Sequence, residues 1–192
     1  MHYLVMVIGE DVEAQLEPYY QDLEVDEYEV GEVDDYEKQR MLDYYEKQGE
    51  TFQSFDDCYK AHGQDWNWNS YRKDVDGIWK EYSTYNPYAE WDWYEIGGRW
   101  AGKIRVKEGV EYEKPNFSWG WPEEEKKKVL AERRADTALI KDIENVEQLS
   151  CYSVVHEGEW ICVGDKDGNK YVQELLKTLS PDTRITFVDC HM

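Results

Sequence analysis

No CxxC pair, P-loop or HExxH occurs in this chain of 192 residues. The four cysteines, Cys58, Cys151, Cys162 and Cys190, follow no regular spacing. That pattern points away from a disulfide scaffold or zinc knuckle and towards reduced, mostly buried thiols in a cytosolic setting. The longest apolar stretch, around Tyr3–Ile8 (YLVMVI), falls far short of the roughly 20 residues a membrane-spanning helix needs. Met1–Glu10 lacks the basic opening of a signal peptide and meets acid at Glu10-Asp11. The expected location is therefore cytoplasmic, with no membrane partner, and no metal or cofactor is assigned.

Basic residues are also scarce: 22 Lys and Arg stand against 43 Asp and Glu, a formal charge of −21. The imbalance is uneven, with 25 acidic against 7 basic residues in 1–95 and 18 against 15 in the rest. Such a field repels phosphate backbones, so direct nucleic-acid binding is not expected. The acid serves either solubility or imitation of nucleic acid towards a basic partner. Phe is rare (4), but Tyr (16) and Trp (9) are plentiful. Both bury large area while keeping a polar atom, which suits cores and binding surfaces alike.

Along the chain, Tyr3–Ile8 reads as a strand buried on both faces and central in a sheet. Residues 19–33 read as an acidic extended crossing. Residues 34–82 read as a helical acidic insertion: Asp34 or Asp35 caps a helix, Gly49 divides it, Trp66 and Trp68 stand in a polar loop, and Ser70–Tyr82 is a further helix. Lys103–Val110 alternates, with Lys103, Arg105 and Lys107 on one face and Ile104 and Val106 on the other. Pro122 opens a helix running to about Ala135. Cys151–Val155 and Trp160–Gly164 flank a hairpin turn, DKDGNK (165–170) is a turn, Tyr171–Leu179 is a helix, and Arg184–Asp189 is the last strand. The fold class expected is α+β: a small, mostly antiparallel sheet of four or five strands built from both chain ends. Residues 1–33 and 83–192 form the core and 34–82 the insertion, either separate or packed within one domain. With the terminal strands as neighbours, His2 and His191 meet.

The opening MHYLVMVIGED, the central YNPYAEWDWYEIGGRWAG and the closing SPDTRITFVDCHM together resemble a family of uncharacterised bacteriophage and prophage proteins. The resemblance covers about a third of the chain and leaves out 34–82. It implies a viral setting and no particular chemistry.

Tyr85–Gly102 holds three Trp, three Tyr, a Gly-Gly pair and one Arg in eighteen residues. It suggests an anion or nucleotide pocket. Arg99 would fork a phosphate, Gly97 and Gly98 would admit the ligand to the backbone, and Trp91, Trp93, Tyr94 or Trp100 would stack a base, with charge from Lys103 and Arg105. The competing reading is a glycine hairpin whose Arg99 pairs with Asp92 or Glu95 and whose Trp residues fill the core. A second candidate joins His2, Asp189, Cys190 and His191, with Glu10, in metal or catalytic chemistry, although their spacing fits no standard metal signature. A third is mimicry of nucleic acid by Asp22, Glu24, Asp26, Glu27, Glu29, Glu32, Asp34 and Asp35. The reading these support first is a phage counter-defence protein that sequesters a nucleotide-derived immune signal without turnover. The alternatives are an acidic inhibitor of a basic host defence nuclease or CRISPR effector, and, more weakly, an enzyme that degrades such a signal.

Overall fold

The computed structural model describes residues 1–63, 70–164 and 166–192. Trp66, Trp68 and Asp165 lie outside the described residues. In chain order the elements are β1 (His2–Ile8), α1 (Val12–Leu16), β2 (Tyr28–Glu32), α2 (Asp35–Lys47), α3 (Phe55–His62), β3 (Ser70–Lys73) and β4 (Trp79–Ser83). Then come β5 (Trp93–Ile96), β6 (Ile104–Arg105), α4 (Glu123–Ala131), β7 (Arg134–Ala135) and β8 (Thr137–Leu139). The last are β9 (Ser153–His156), β10 (Glu159–Cys162), α5 (Lys166–Thr178) and β11 (Arg184–His191). The class is α+β. The chain divides into two compact units, 1–23 with 88–192, and 24–87.

In the first unit the two terminal strands lie side by side at the centre of a sheet ordered β10-β9-β1-β11-β5, with β8 on the remaining length of β11. This makes six strands among the described residues, one or two more than the sequence suggests. All pairings are antiparallel except β1 with β9. The unbroken apolar run of β1 follows from covering both faces. Leu4, Met6 and Ile8 join Ile185, Phe187, Val172 and Leu176 in one core, while Val5 and Val7 join Val188, Cys190 and Leu16 in the other. Each such fully buried side chain contributes about 1.5–3 kcal/mol. The hairpin β9–β10 forms as its turn predicts. The helix after Pro122 stops at Ala131 rather than Ala135. Arg133 takes φ 53°, which turns the chain into β7 against β6.

The second unit is less helical than its sequence pattern suggests. Asp34 caps α2 by accepting the Glu37 N–H, and Met41, Tyr45, Phe55 and Cys58 make its core with Tyr71. Residues 70–82, however, are not a helix: β3 and β4 form a hairpin, with β2 on the other side of β4. The Asp74 carboxylate accepts the N–H groups of both Asp76 and Ile78, an Asx turn that reverses the chain. Val75 is fully exposed at the tip. Near the other end, DKDGNK is not a free turn, because α5 already begins at Lys166.

Candidate functional site

Trp91–Arg105 is one continuous segment, but the fold of the first unit distributes its side chains over several surroundings. Trp91 packs edge-on to Tyr94 at 4.9 Å and lies 4.7 Å from Tyr20, its indole N–H donating to the Leu16 carbonyl. Trp91, Tyr94 and Tyr20 line a groove of about 480 Å³ shared with Asp11, Glu13 and Glu17, an acidic setting unlike the one expected for a phosphate. Trp100 packs against the core. Trp93 is 48 % exposed.

Gly97 and Gly98 make a left-handed turn, with φ of 74° and 55°, wedged between two buried carboxylates. Asp136 accepts the N–H groups of Gly102 and Asn116, both at 2.6 Å, and a β-carbon on Gly97 would collide with it. Asp189 accepts the N–H of Arg99 at 3.0 Å. The close approach that the Gly-Gly pair permits is thus made to the protein's own carboxylates and not to a ligand. The Arg99 side chain is exposed and pairs with neither Asp92 nor Glu95, because Asp92 is taken by His191 and Glu95 by Asn116.

Lys103 and Arg105 belong elsewhere. Their alternation holds, with Ile104 and Val106 buried beneath them. They line a cavity of about 500 Å³ with Arg134, Glu144, Asn145, Gln148 and Ser150, floored by Phe187 and Leu149. Arg105 and Arg134 are direct cross-strand partners on β6 and β7, so two like charges stand on one face. Such a pair destabilises a sheet unless compensated. Glu132 compensates here, bonding Arg134 Nε at 2.8 Å and Arg105 Nη2 at 3.2 Å, while Glu144 lies 3.5 Å from Arg105 Nε. The hydrogen bond from Arg134, followed by that from Arg105, holds the Glu132 carboxyl below the usual range. Lys103 has no ion pair or hydrogen bond among the described residues. Sequence reasoning missed Arg134, Asn145, Gln148 and Ser150. The dibasic Arg133-Arg134 after α4 was the available signal. Only Arg134 reaches the cavity, because Arg133 stacks over Tyr112 at 5.0 Å and donates to the carbonyls of Lys107 and Val110.

In the six-stranded sheet the register of β1 against β11 pairs His2 with His191. Their rings are edge to face, with centroids 4.8 Å apart. His2 Nδ1 bonds Asp189 Oδ1 and His191 Nδ1 bonds Asp92 Oδ1, each at 2.8 Å. Cys190 points to the opposite, buried face, and Glu10 is engaged with Arg184, so neither joins this pair. Among the described residues no group of three or more His, Cys, Asp or Glu side chains is placed to hold a metal ion. None of the described helices is long and apolar enough to cross a membrane.

The chain matches no protein-family model, and comparison with curated proteins and with solved structures yields no match.

Proposed function

We propose that the chain binds and sequesters a small, anionic, nucleotide-derived signal in the Lys103–Arg105–Arg134 cavity, as a counter-defence protein of a phage. The observation that carries this reading is the juxtaposition of Arg105 and Arg134 on one face, with Lys103 beside them, in a chain of net charge −21. Arginine presents planar donors that match two phosphate oxygens at once, and the amides of Asn145 and Gln148 and the hydroxyl of Ser150 supply donors for a base or sugar. A cavity of about 500 Å³ lies within the range typical of small-molecule sites. Glu132 holds the two guanidinium groups in place, and an arriving phosphate takes over part of that role. The phage setting rests on the sequence resemblance alone.

Calorimetry with a panel of mononucleotides and cyclic mono- and dinucleotides tests the proposal. A sponge competes with a receptor, so a Kd near nanomolar, about −12 kcal/mol, is expected for one member. Lys103→Ala and Arg134→Ala should each weaken it at least tenfold, and Arg99→Ala should not. Unchanged binding in a folded Lys103→Ala/Arg105→Ala/Arg134→Ala variant, or no binding across the panel, overturns it.

A second reading is supported by the exposure of all eight carboxylates between Asp22 and Asp35. In it the chain inhibits a basic host nuclease by imitating phosphates. Glu27 is already paired with Arg72, Glu29 and Glu32 with Lys80 and Asp35 with Lys38, and Asp34 caps α2, which leaves Asp22, Glu24 and Asp26 to face such a partner. Neutralising those three should weaken a salt-sensitive association with the nuclease.

A further inference from the structure

The two histidines at the ends of β1 and β11 share no residue with the basic cavity, and their chemistry is independent of sequestration there. Each imidazole is held through Nδ1 by its own carboxylate at 2.8 Å. An ionised carboxylate only accepts hydrogen bonds, so the proton of each neutral ring is on Nδ1, and Nε2 carries the free lone pair. The two supports differ in character. Asp189 is buried, and its second oxygen is occupied by the Arg99 N–H. Asp92 and His191 are each 38 % exposed at the side chain. The rings are 4.8 Å apart, and the Trp93 ring stands edge-on to His2 at 6.1 Å with much of its surface open.

We infer that His2 and His191 form a general acid–base pair that hydrolyses a phosphodiester. Several chemistries are disfavoured by what lies around them. Acyl transfer through a covalent intermediate needs an activated Ser or Cys, and the nearest thiol, Cys190, is buried on the other face with burial and the Asp189 charge raising its pKa. Glycoside hydrolysis needs two free carboxyl groups. Asp92 and Asp189 are both tied to imidazoles, and Glu95, opposite Asp189 across β5, accepts from Asn116 at 2.9 Å. A base and an acid without a protein nucleophile suit direct displacement at phosphorus. In that step the Nε2 of the neutral histidine removes a proton from water. The water oxygen bonds to phosphorus and the bond to the leaving oxygen breaks. The protonated histidine then gives its Nε2 proton to that oxygen, so one proton is taken up, one is released and nothing is oxidised. Imidazole is the side chain suited both to take and to give a proton within one reaction. Asp92 and Asp189 face the pair from β5's leading edge and from β11, and Arg99 is the charged residue of the turn that bonds Asp189. Asp92 and Asp189 act as positioning residues, fixing tautomer and ring orientation. The exposed Trp93 offers a stacking face to a base of the substrate.

The full chain is assayed against bis(4-nitrophenyl) phosphate and a panel of 3′,5′-linked and cyclic dinucleotides in EDTA, with products followed by chromatography and by ¹⁸O transfer from water into phosphate. Hydrolysis of at least one member is expected, with a bell-shaped pH profile. His2→Ala and His191→Ala should each slow it by about 100-fold or more, and each should remove one limb of the bell. Asp92→Asn should lower kcat with little change in KM, and an Asp92→Glu variant should recover part of the rate. Long-range ¹H–¹⁵N correlation of the unmodified protein should show both neutral rings protonated at Nδ1, a readout that does not depend on any variant folding. Absence of hydrolysis across the panel, full activity in both histidine variants, activity lost to EDTA and restored by a divalent ion, or rings protonated at Nε2 overturns the inference.

Discussion

Gly98 lies against Asp189 so closely that a β-carbon at position 98 would sit 2.7 Å from the Asp189 Cβ and 2.8 Å from its Oδ2. The first of these atoms is fixed to the backbone of a central strand and has nowhere to go. Gly98→Ala combines that overlap with a left-handed backbone, and is expected to cost about 2–4 kcal/mol of stability. Gly158→Ala is the control, because its backbone is also left-handed but its β-carbon would meet nothing within 4 Å. It should cost about 1–2 kcal/mol. Urea denaturation of the two variants checks the ranking; equal costs would mean that contact with Asp189 contributes nothing.

Asp136 is the second carboxylate under the turn. Burial raises its pKa, opposed by the N–H groups of Gly102 and Asn116. A carboxyl whose folded pKa is raised contributes stability that is present below its unfolded value and lost as pH climbs through the folded one. Asp136→Asn removes that titration and turns an amide N–H₂ towards one of the two donors, at about 1–3 kcal/mol. The advantage of the unmodified chain over the variant should therefore be largest below the ordinary carboxylate value of about 3.9 and shrink as the pH climbs above it. Urea midpoints of both proteins across that range give the sign directly.

Asp92 behaves in the opposite sense. The hydrogen bond from His191 holds its carboxyl below the usual range. Its share of stability is present above the ordinary carboxylate value and is lost as pH falls through the lowered one. A ¹³C NMR titration should place its midpoint below the ordinary value of about 3.9, and His191→Ala should move it upward. A midpoint that ignores His191 would remove this dyad.

The thiols sort by surroundings. Burial pushes Cys151 up to about 12 and raises Cys58 and Cys190 as well, and all three are buried. Cys162 is exposed at the end of β10. Thiolate is the reactive form, so a disulfide reagent at about pH 8 should label one thiol quickly in the native protein and four after denaturation. A second fast thiol would show that one of the buried sites opens.

Much of the sheet was legible in the sequence because its signals are local. The apolar run of β1, the hairpin turn after β9 and the alternation of Lys103 to Lys107 each carry their own period. The adjacency of His2 and His191 followed from placing the terminal strands together, and the register bears that out. The hairpin of β3 and β4 was missed because Tyr71, Val75, Ile78 and Trp79 also satisfy helical spacing; the turn that decides between the two lies in the bonds of a single side chain, Asp74. The partners of Gly97 and Gly98 were illegible for a different reason. Asp136 and Asp189 are remote in sequence, and nothing in a Gly-Gly pair says whether the group approaching the backbone is a ligand or the protein's own carboxylate. The cavity around Lys103 and Arg105 likewise takes its third cation, Arg134, from β7, through a pairing no local pattern announces.

The central pairing of β1 with β11 also sets the order in which the molecule can be made. His2 meets Asp189 across 187 residues of chain, so the sheet lacks its middle until nearly all of the described sequence has left the ribosome. The pairings within 24–87 are complete far earlier. Assembly of the first unit should be slow and post-translational, with the apolar faces of β1 open to chaperones in the interval. A ribosome stalled before Arg184 should carry a chain whose second unit resists protease while its first does not.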